Sequence, residues 1–477
     1  MRKIILTFLF LLVVVSQMIF AQHEHPQTEH YMAPKDEQVI QKLEEWQDLK
    51  FGIIIHWGLY AVPGIIESWS VCSEDWIDRD STISYNDYKE WYFGLINEFN
   101  PVKFNPEQWA EVSKEAGMKY LVFTTKHHDG FCLWNTQQTD YSIANSPFGS
   151  NDHSDALKYV LNAYRNQGFM VGTYFSKPDW HSDYYWWKKY ATPNRNNNYD
   201  ADKFPWRWNQ FKKYTFNQIQ ELMTGYGDVD ILWLDGGWVR PIETVTDEVR
   251  AWGAPIPSWS QDIDMPSIAN MARQNQPGLL IVDRTVGGLY ENYQTPEQRI
   301  PDKALDHPWE SCITLGGAWG YSPKDRFKPT SQVIRTLVEV VAKGGSLLLG
   351  VGPTPEGEFT AEQVASLKMI GQWMQKNGEA IYATRSLEVC QSDNVFFTQS
   401  KDHKTCYAIA CYDEDDTLET TFSWEGNVPS KGSAIRLVSN GKRVKYQVSG
   451  DKVSVVLPKD MKELPLGKAI AFKYKKQ

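Results

Sequence analysis

From Phe51 to Gly352 the chain repeats one pattern: a short, unbroken apolar run that stops abruptly at polar or charged residues. Phe51-Gly52-Ile53-Ile54-Ile55 runs into His56-Trp57-Gly58, and Tyr120-Leu121-Val122-Phe123-Thr124-Thr125 into Lys126-His127-His128-Asp129-Gly130. Met170-Val171-Gly172-Thr173-Tyr174-Phe175 leads to Ser176-Lys177-Pro178-Asp179, and Asp230-Ile231-Leu232-Trp233-Leu234 to Asp235-Gly236-Gly237. Leu279-Leu280-Ile281-Val282 ends at Asp283-Arg284, and Ser346-Leu347-Leu348-Leu349 at Gly350-Val351-Gly352. Runs without alternation are the mark of strands buried on both faces, as in a parallel sheet. Helical patterns separate them. Examples are Pro106 to Ala116, which opens on proline, and Ser154 to Gln167, which Gly168 closes. A further helix over Glu37 to Leu49 puts Val39, Leu43 and Trp46 on one stripe.

Strand–helix alternation of this length predicts an α/β fold, a (β/α)8-like TIM barrel, over residues 35–385. An open doubly wound sheet competes, but no glycine-rich phosphate loop follows the first strand. From about Ser386 the texture changes to short strands parted by polar turns such as Ser439-Asn440-Gly441, which predicts a small all-β sandwich over residues 386–477. The acidic run Asp413 to Asp416 reads as a solvated loop within it.

Charge and composition narrow the partners. The formal net charge of -10 disfavours a nucleic-acid partner, which needs a basic face. Residues 1–21 combine a basic start, an apolar run and Ala21, a signal-peptide pattern that predicts export to the periplasm or the medium. No other segment is apolar enough to cross a membrane. The six cysteines form no CxxC pair and no zinc spacing, so no metal and no cofactor is expected; Cys406 and Cys411 are close enough in sequence to bridge or merely to pack. The 20 Trp and 24 Tyr exceed what a core alone asks for, and some are expected in a sugar-binding cleft.

Without a metal or a GxSxG elbow, carboxylates at strand ends are the candidate chemistry, and they suit glycoside cleavage. Asp235 ends a strand in which Ile231, Trp233 and Asp235 share a face, and the two glycines after it leave room for a ligand. A loop-capping role for Asp235 stays open on position alone. Asp179 also follows a strand and reads equally as a turn residue, while Asp228 and Asp230 precede their strand and fall at the structural end. His56, His127 and His128 sit at two other strand ends, where neutral imidazoles can bind hydroxyls or simply pack.

These motifs, with Trp309-Glu310 and Trp319-Gly320-Tyr321, occur in an order that resembles the α-L-fucosidases of glycoside hydrolase family 29, over about residues 35 to 385. The resemblance implies a retaining exo-acting enzyme with Asp235 as nucleophile. It implies that His56, His127, His128 and Arg284 bind the fucose hydroxyls, with Trp69, Tyr174, Trp233 and Trp319 around the ring. Members commonly carry Glu-Trp after the first strand; this chain has Glu67-Ser68-Trp69, with Glu90-Trp91 as a second candidate, and Trp69 is favoured. Glu297, in the loop 13 residues after Arg284, is the favoured acid/base, and Glu310 is the alternative. A non-catalytic fucose-binding protein, a related α-L-galactosidase and a metal-dependent hydrolase are the competing functions.

Overall fold

The computed structural model describes residues 31–476 except Lys462 and Leu466, so the signal peptide expected at residues 1–21 lies outside the described residues. Seven parallel strands form one curled sheet: β1 (Phe51–Ile55), β2 (Tyr120–Lys126), β3 (Met170–Ser176), β4 (Ile231–Asp235), β5 (Leu280–Asp283), β6 (Glu310–Thr314) and β7 (Ser346–Val351). Their order is β5-β4-β3-β2-β1-β7-β6. Every position of β1, β2 and β7 is buried, as their unbroken apolar runs require. Alternate residues face opposite ways. Tyr120 and Val122 point into the barrel interior with Ile54, Ile231 and Leu348, while Leu121 and Phe123 pack outward under the helices.

The helix Glu37–Leu49 drives Val39, Leu43 and Trp46 into that same interior cluster. Trp46 stacks on Tyr293 at 4.0 Å, and Lys42 is tied to Asp230, just ahead of β4, at 2.8 Å. The helix therefore plugs the N-terminal end of the barrel and leaves only the other end open.

The seam between β5 and β6 is closed without a regular strand. Asn292 N donates to Ile281 O (2.9 Å) on one side. On the other, Gln294 N donates to Pro308 O (3.1 Å), Glu310 N to Gln294 O (2.8 Å) and Gln298 N to Cys312 O (2.9 Å). Residues 292–298 thus take the place of an eighth strand, and this segment carries Glu297. The apolar-run pattern found six of the seven strands. It missed β6 because Glu310-Ser311-Cys312-Ile313-Thr314 is largely polar.

Antiparallel sheets follow. The strands Val395–Ser400, Thr405–Cys411 and Ala469–Lys475 form the middle of a six-stranded sheet, beside a three-stranded sheet of Thr421–Glu425, Lys445–Ser449 and Lys452–Val456. Phe396, Tyr407, Ile409 and Ala471 face the main core, where the helix Thr330–Ala342 packs; Phe397, Ala408, Ala410 and Phe472 face the smaller sheet. Cys406 and Cys411 do not bridge. They lie five positions apart on one strand, so their side chains point to opposite faces. Among the described residues no helix is long and apolar enough to cross a membrane.

Candidate active site

The open end of the barrel is where the strands stop and the polar residues begin. Asp235 is the last residue of β4. Gly236, at φ +88°, turns the chain immediately after it, and a Cβ there would lie 2.4 Å from Pro178 Cδ. Only glycine lets these two loops close beside the carboxylate.

Asp235 has three neighbours. Its Oδ1 accepts a hydrogen bond from Arg284 Nη1 at 2.8 Å, its Oδ2 accepts one from the Tyr174 hydroxyl at 2.7 Å, and His128 Nε2 lies 3.7 Å from Oδ2. Burial pushes this carboxyl up, but the Arg284 guanidinium, the Tyr174 hydroxyl and the Gly236 backbone N–H outweigh it and hold Asp235 well below the usual carboxylate range. The group is an anion at any physiological pH.

Arg284 serves a second carboxylate. Its Nη2 donates to Glu297 Oε2 at 2.9 Å, and Trp319 Nε1 donates to Glu297 Oε1 at 3.2 Å. The guanidinium is oriented by Thr295 Oγ1 (3.0 Å from Nε) and lies 4.5 Å over the Trp233 ring. Adjacent nitrogens of one guanidinium holding two carboxylates space them by roughly 5 to 7 Å, close to the separation that a retaining pair uses. Both carboxylates retain some solvent access, 15% and 16%.

The histidines complete the floor and one wall. A β-bulge between Thr124 and Lys126 breaks the alternation at the end of β2. His127 and His128 follow the strand end in a turn that Gly130 N closes on His127 O (3.0 Å), so their rings sit side by side, centroids 4.2 Å apart, instead of on opposite faces. His127 Nδ1 is paired with Ser68 Oγ. Burial pushes His127 down to about 4, and His56 and His128 well below their ordinary value, so all three are neutral. His56 Nδ1 and His128 Nδ1 are buried without a hydrogen-bond partner. Donor atoms of His127, His128 and Asp235 come within 4.8 Å of one another, as a metal cluster would need. Both Asp235 oxygens are already engaged by Arg284 and Tyr174, however, and a cation there would face the guanidinium.

Of the residues expected at the site, His56, Trp69, His127, His128, Tyr174, Trp233, Asp235, Arg284, Glu297 and Trp319 all line one pocket. Glu310 does not. It is fully buried beneath Trp233, whose Nε1 donates to its Oε1 (3.1 Å), and the Tyr120 hydroxyl donates to its Oε2 (2.7 Å). Burial pushes its carboxyl up to about 7 against those two hydrogen bonds. Asp179 faces outward, ion-paired with buried Lys126 at 3.2 Å. Trp91 is exposed on a neighbouring helix, so Trp69 is the pocket tryptophan of the two candidates.

Sequence reasoning missed Arg195, Trp76 and Trp238, and left Glu67 in doubt. Glu67 lines the pocket and accepts the backbone N–H groups of Trp319 and Gly320 at 2.9 and 2.8 Å, which fixes the loop that carries Trp319. The Arg195 guanidinium lies over Trp69 (4.7 Å) and Trp238 (5.1 Å) and is held by Glu74. Trp238, three residues past Asp235, was within reach of a positional argument. Arg195 was not, because it arrives from a long, motif-free connection.

A family model described as alpha-L-fucosidase matches residues 18–379. The chain belongs to the α-L-fucosidase family. It is a glycoside hydrolase. The human plasma α-L-fucosidase is 28% identical over 388 residues, 77% of this chain and 76% of that protein. The Dictyostelium discoideum α-L-fucosidase is 25% identical over 430 residues, 86% of this chain and 87% of that protein. Among solved structures, α-L-fucosidase isoenzyme 1 from Paenibacillus thiaminolyticus superimposes with a TM-score of 0.73 at 31% identity, covering 92% of this chain and all of its own (100%). A Bacteroides thetaiotaomicron α-L-fucosidase, caught as a trapped covalent intermediate in a glutamate-to-glutamine mutant, gives 0.70 at 25% identity over 95% and 99% of the two chains.

Proposed function

We propose that this fucosidase is a retaining, exo-acting enzyme that releases terminal α-L-fucose from glycans through a covalent fucosyl–Asp235 intermediate. The observation that carries the reading is the single guanidinium of Arg284, which spans an obligate anion, Asp235, and a second carboxylate, Glu297. One carboxylate is kept charged for attack. The other stands across the pocket from it, where a leaving oxygen would sit.

Asp235 attacks the anomeric carbon as the glycosidic C–O bond breaks. Glu297 acts as the acid and must carry a proton at that moment. Protonation of Oε2 gives up the Arg284 ion pair and keeps the Trp319 bond on Oε1, so the proton sits on the oxygen that turns toward the leaving group. Arg284 then acts on Asp235 alone. In the second half Glu297 takes a proton from water, the oxygen attacks the fucosyl carbon, and Asp235 leaves, giving overall retention. The neutral rings of His56, His127 and His128 bind sugar hydroxyls without competing for the charge of Asp235. Tyr174, Trp233, Trp69 and Trp319 shape the ring site. Glu310 orients Trp233 from below. The trapped intermediate of the Bacteroides relative supports the covalent route. Export, read from residues 1–21, belongs to the same proposal, and N-terminal sequencing of the secreted or periplasmic protein checks it.

Hydrolysis of an aryl α-L-fucoside by wild type, Asp235→Ala, Glu297→Ala and Glu310→Ala, with and without azide, tests the assignment. Asp235→Ala should lose activity and return a fucosyl azide of inverted configuration. Glu297→Ala should return the retained azide. Retained azide from Glu310→Ala instead would overturn the choice of acid, and a wild type that binds fucose but is inert would favour the binding-protein reading.

A further inference from the structure

Four described aromatic side chains are exposed: Trp91, Tyr184, Tyr190 and Trp206, at 41%, 38%, 39% and 56%. All four belong to the connections that follow β1 and β3 at the open end of the barrel. The other exposed large apolar side chains are all non-aromatic. Aromatic exposure confined to one face of a molecule marks a contact surface.

The surface is built and braced. Trp187 stands at its centre, with Tyr190 at 89° to it (5.3 Å) and Trp206 at 83° (6.0 Å). The guanidinium of Arg207, ion-paired with Asp183, supports Trp187 from 4.2 Å and also reaches the Tyr184 and Trp206 rings. The connection after β1 is fastened to the same segment: Tyr85 and Lys89 both bond Thr192 Oγ1, at 2.8 and 3.3 Å. Rings held this way lose little entropy when they bind.

The platform is tied to the pocket wall through two buried rings, Trp180 and Trp186. Trp69, in the pocket, meets Trp180 at 5.3 Å, and Trp180 stacks on Trp186 at 5.1 Å, the residue before Trp187. The path from pocket to platform is on the order of 15 Å, a few sugar units, taking one Cα–Cα step for the last link. The same connection also delivers Arg195 to the pocket wall. With the barrel's other end plugged and Trp233 and Glu310 beneath the site, a bound fucoside must extend outward through the open end of the barrel, from which the connection carrying these rings arises.

We propose that Trp206, Tyr190 and Tyr184, gathered around Trp187 and Arg207, form a second carbohydrate site that stacks the non-fucosyl sugars of the substrate glycan. Flat rings with polar hydroxyl and amide neighbours match the alternating C–H faces and hydroxyl edges of pyranosides. This rests on the fucosidase reading above.

The test compares wild type with Trp206→Ala, Tyr190→Ala and Tyr184→Ala on two substrates, an aryl α-L-fucoside and a fucosylated oligosaccharide of several sugars. It adds calorimetric binding of the same oligosaccharide without its fucose. The variants should match wild type within about twofold on the aryl fucoside. On the oligosaccharide kcat/KM should fall about threefold to tenfold, through KM, and the fucose-free chain should bind wild type and not the variants. Equal losses on both substrates, or no loss on either with no binding of the fucose-free chain, would overturn the proposal. So would sedimentation showing that wild type self-associates through these rings. If wild type is inert on both fucosides yet binds the fucose-free chain, the hydrolytic reading fails and the platform stands.

Discussion

Glu310→Gln separates the two glutamates by stability as well as by rate. In the folded protein the Glu310 carboxyl rises to about 7 from an ordinary value of 4.5, chiefly through burial. The folded state therefore holds a proton that the unfolded chain releases, and this contribution to stability is lost as pH climbs from about 4.5 through 7. The shift corresponds to about 3 kcal/mol by pH 8. Glutamine removes the titration. It also turns an NH2 toward one of two donors, the Tyr120 hydroxyl or Trp233 Nε1, at about 1 kcal/mol. Urea unfolding of both proteins should then show the variant about 1 kcal/mol less stable at pH 4.5 and about 2 kcal/mol more stable at pH 8, crossing over in between. Other buried acids such as Asp129 are common to both proteins and cancel in the difference. The rate on an aryl fucoside should stay within about tenfold of wild type, against the 100-fold or larger loss expected on removing a general acid. A stability difference that does not change with pH would refute the burial argument, and a rate collapse with intact folding would return Glu310 to the chemistry.

Tyr174→Phe removes an O–H bonded to Asp235, so the rate on an aryl fucoside should fall about tenfold to 100-fold while the acid limb of the kcat/KM profile stays in place, because Arg284 alone keeps Asp235 charged; a rate within about twofold of wild type would count against the hydrogen bond's role. The buried pair Lys177–Asp283 (2.5 Å) clasps β3 to β5 outside Asp235, so Lys177→Met should cost about 3 to 5 kcal/mol in urea unfolding, and adding Asp283→Leu should recover most of it. Failure of the double variant to recover would mean that the charges are not the cost. Prolonged treatment with EDTA should leave the fucosidase rate unchanged, because Arg284 and Tyr174 already satisfy Asp235; loss of activity that Zn2+ restores would overturn that reading.

The strand ends and their chemistry were legible because burial on both faces writes itself into short unbroken apolar runs, and a barrel places its site where such runs stop. That logic singled out Asp235 and the three histidines, while Tyr174 and Arg284 came from the resemblance to the fucosidase family. It failed at β6, whose residues are mostly polar yet buried, because their polar groups are satisfied within the barrel. It also could not see that the strand ends at Lys126 and that a turn over His127 to Gly130 sets the two histidine rings together, since where a strand stops depends on its pairing with neighbours.

The choice between Glu297 and Glu310 shows where one-dimensional information ends. Both follow Arg284 and neither is marked by its neighbours. The register of residues 292–298 against β6 sets Glu297 beside Cys312, two residues beyond Glu310. Two residues along a strand are about 6 to 7 Å, one layer of a barrel. That single layer puts one carboxylate in the mouth on Arg284 and the other under Trp233. The sequence by itself determined which residues stand at the ends of strands, through local periodicity. Which carboxylates share a guanidinium, and that Arg195 reaches the same pocket, were decided by long-range packing that no local pattern encodes.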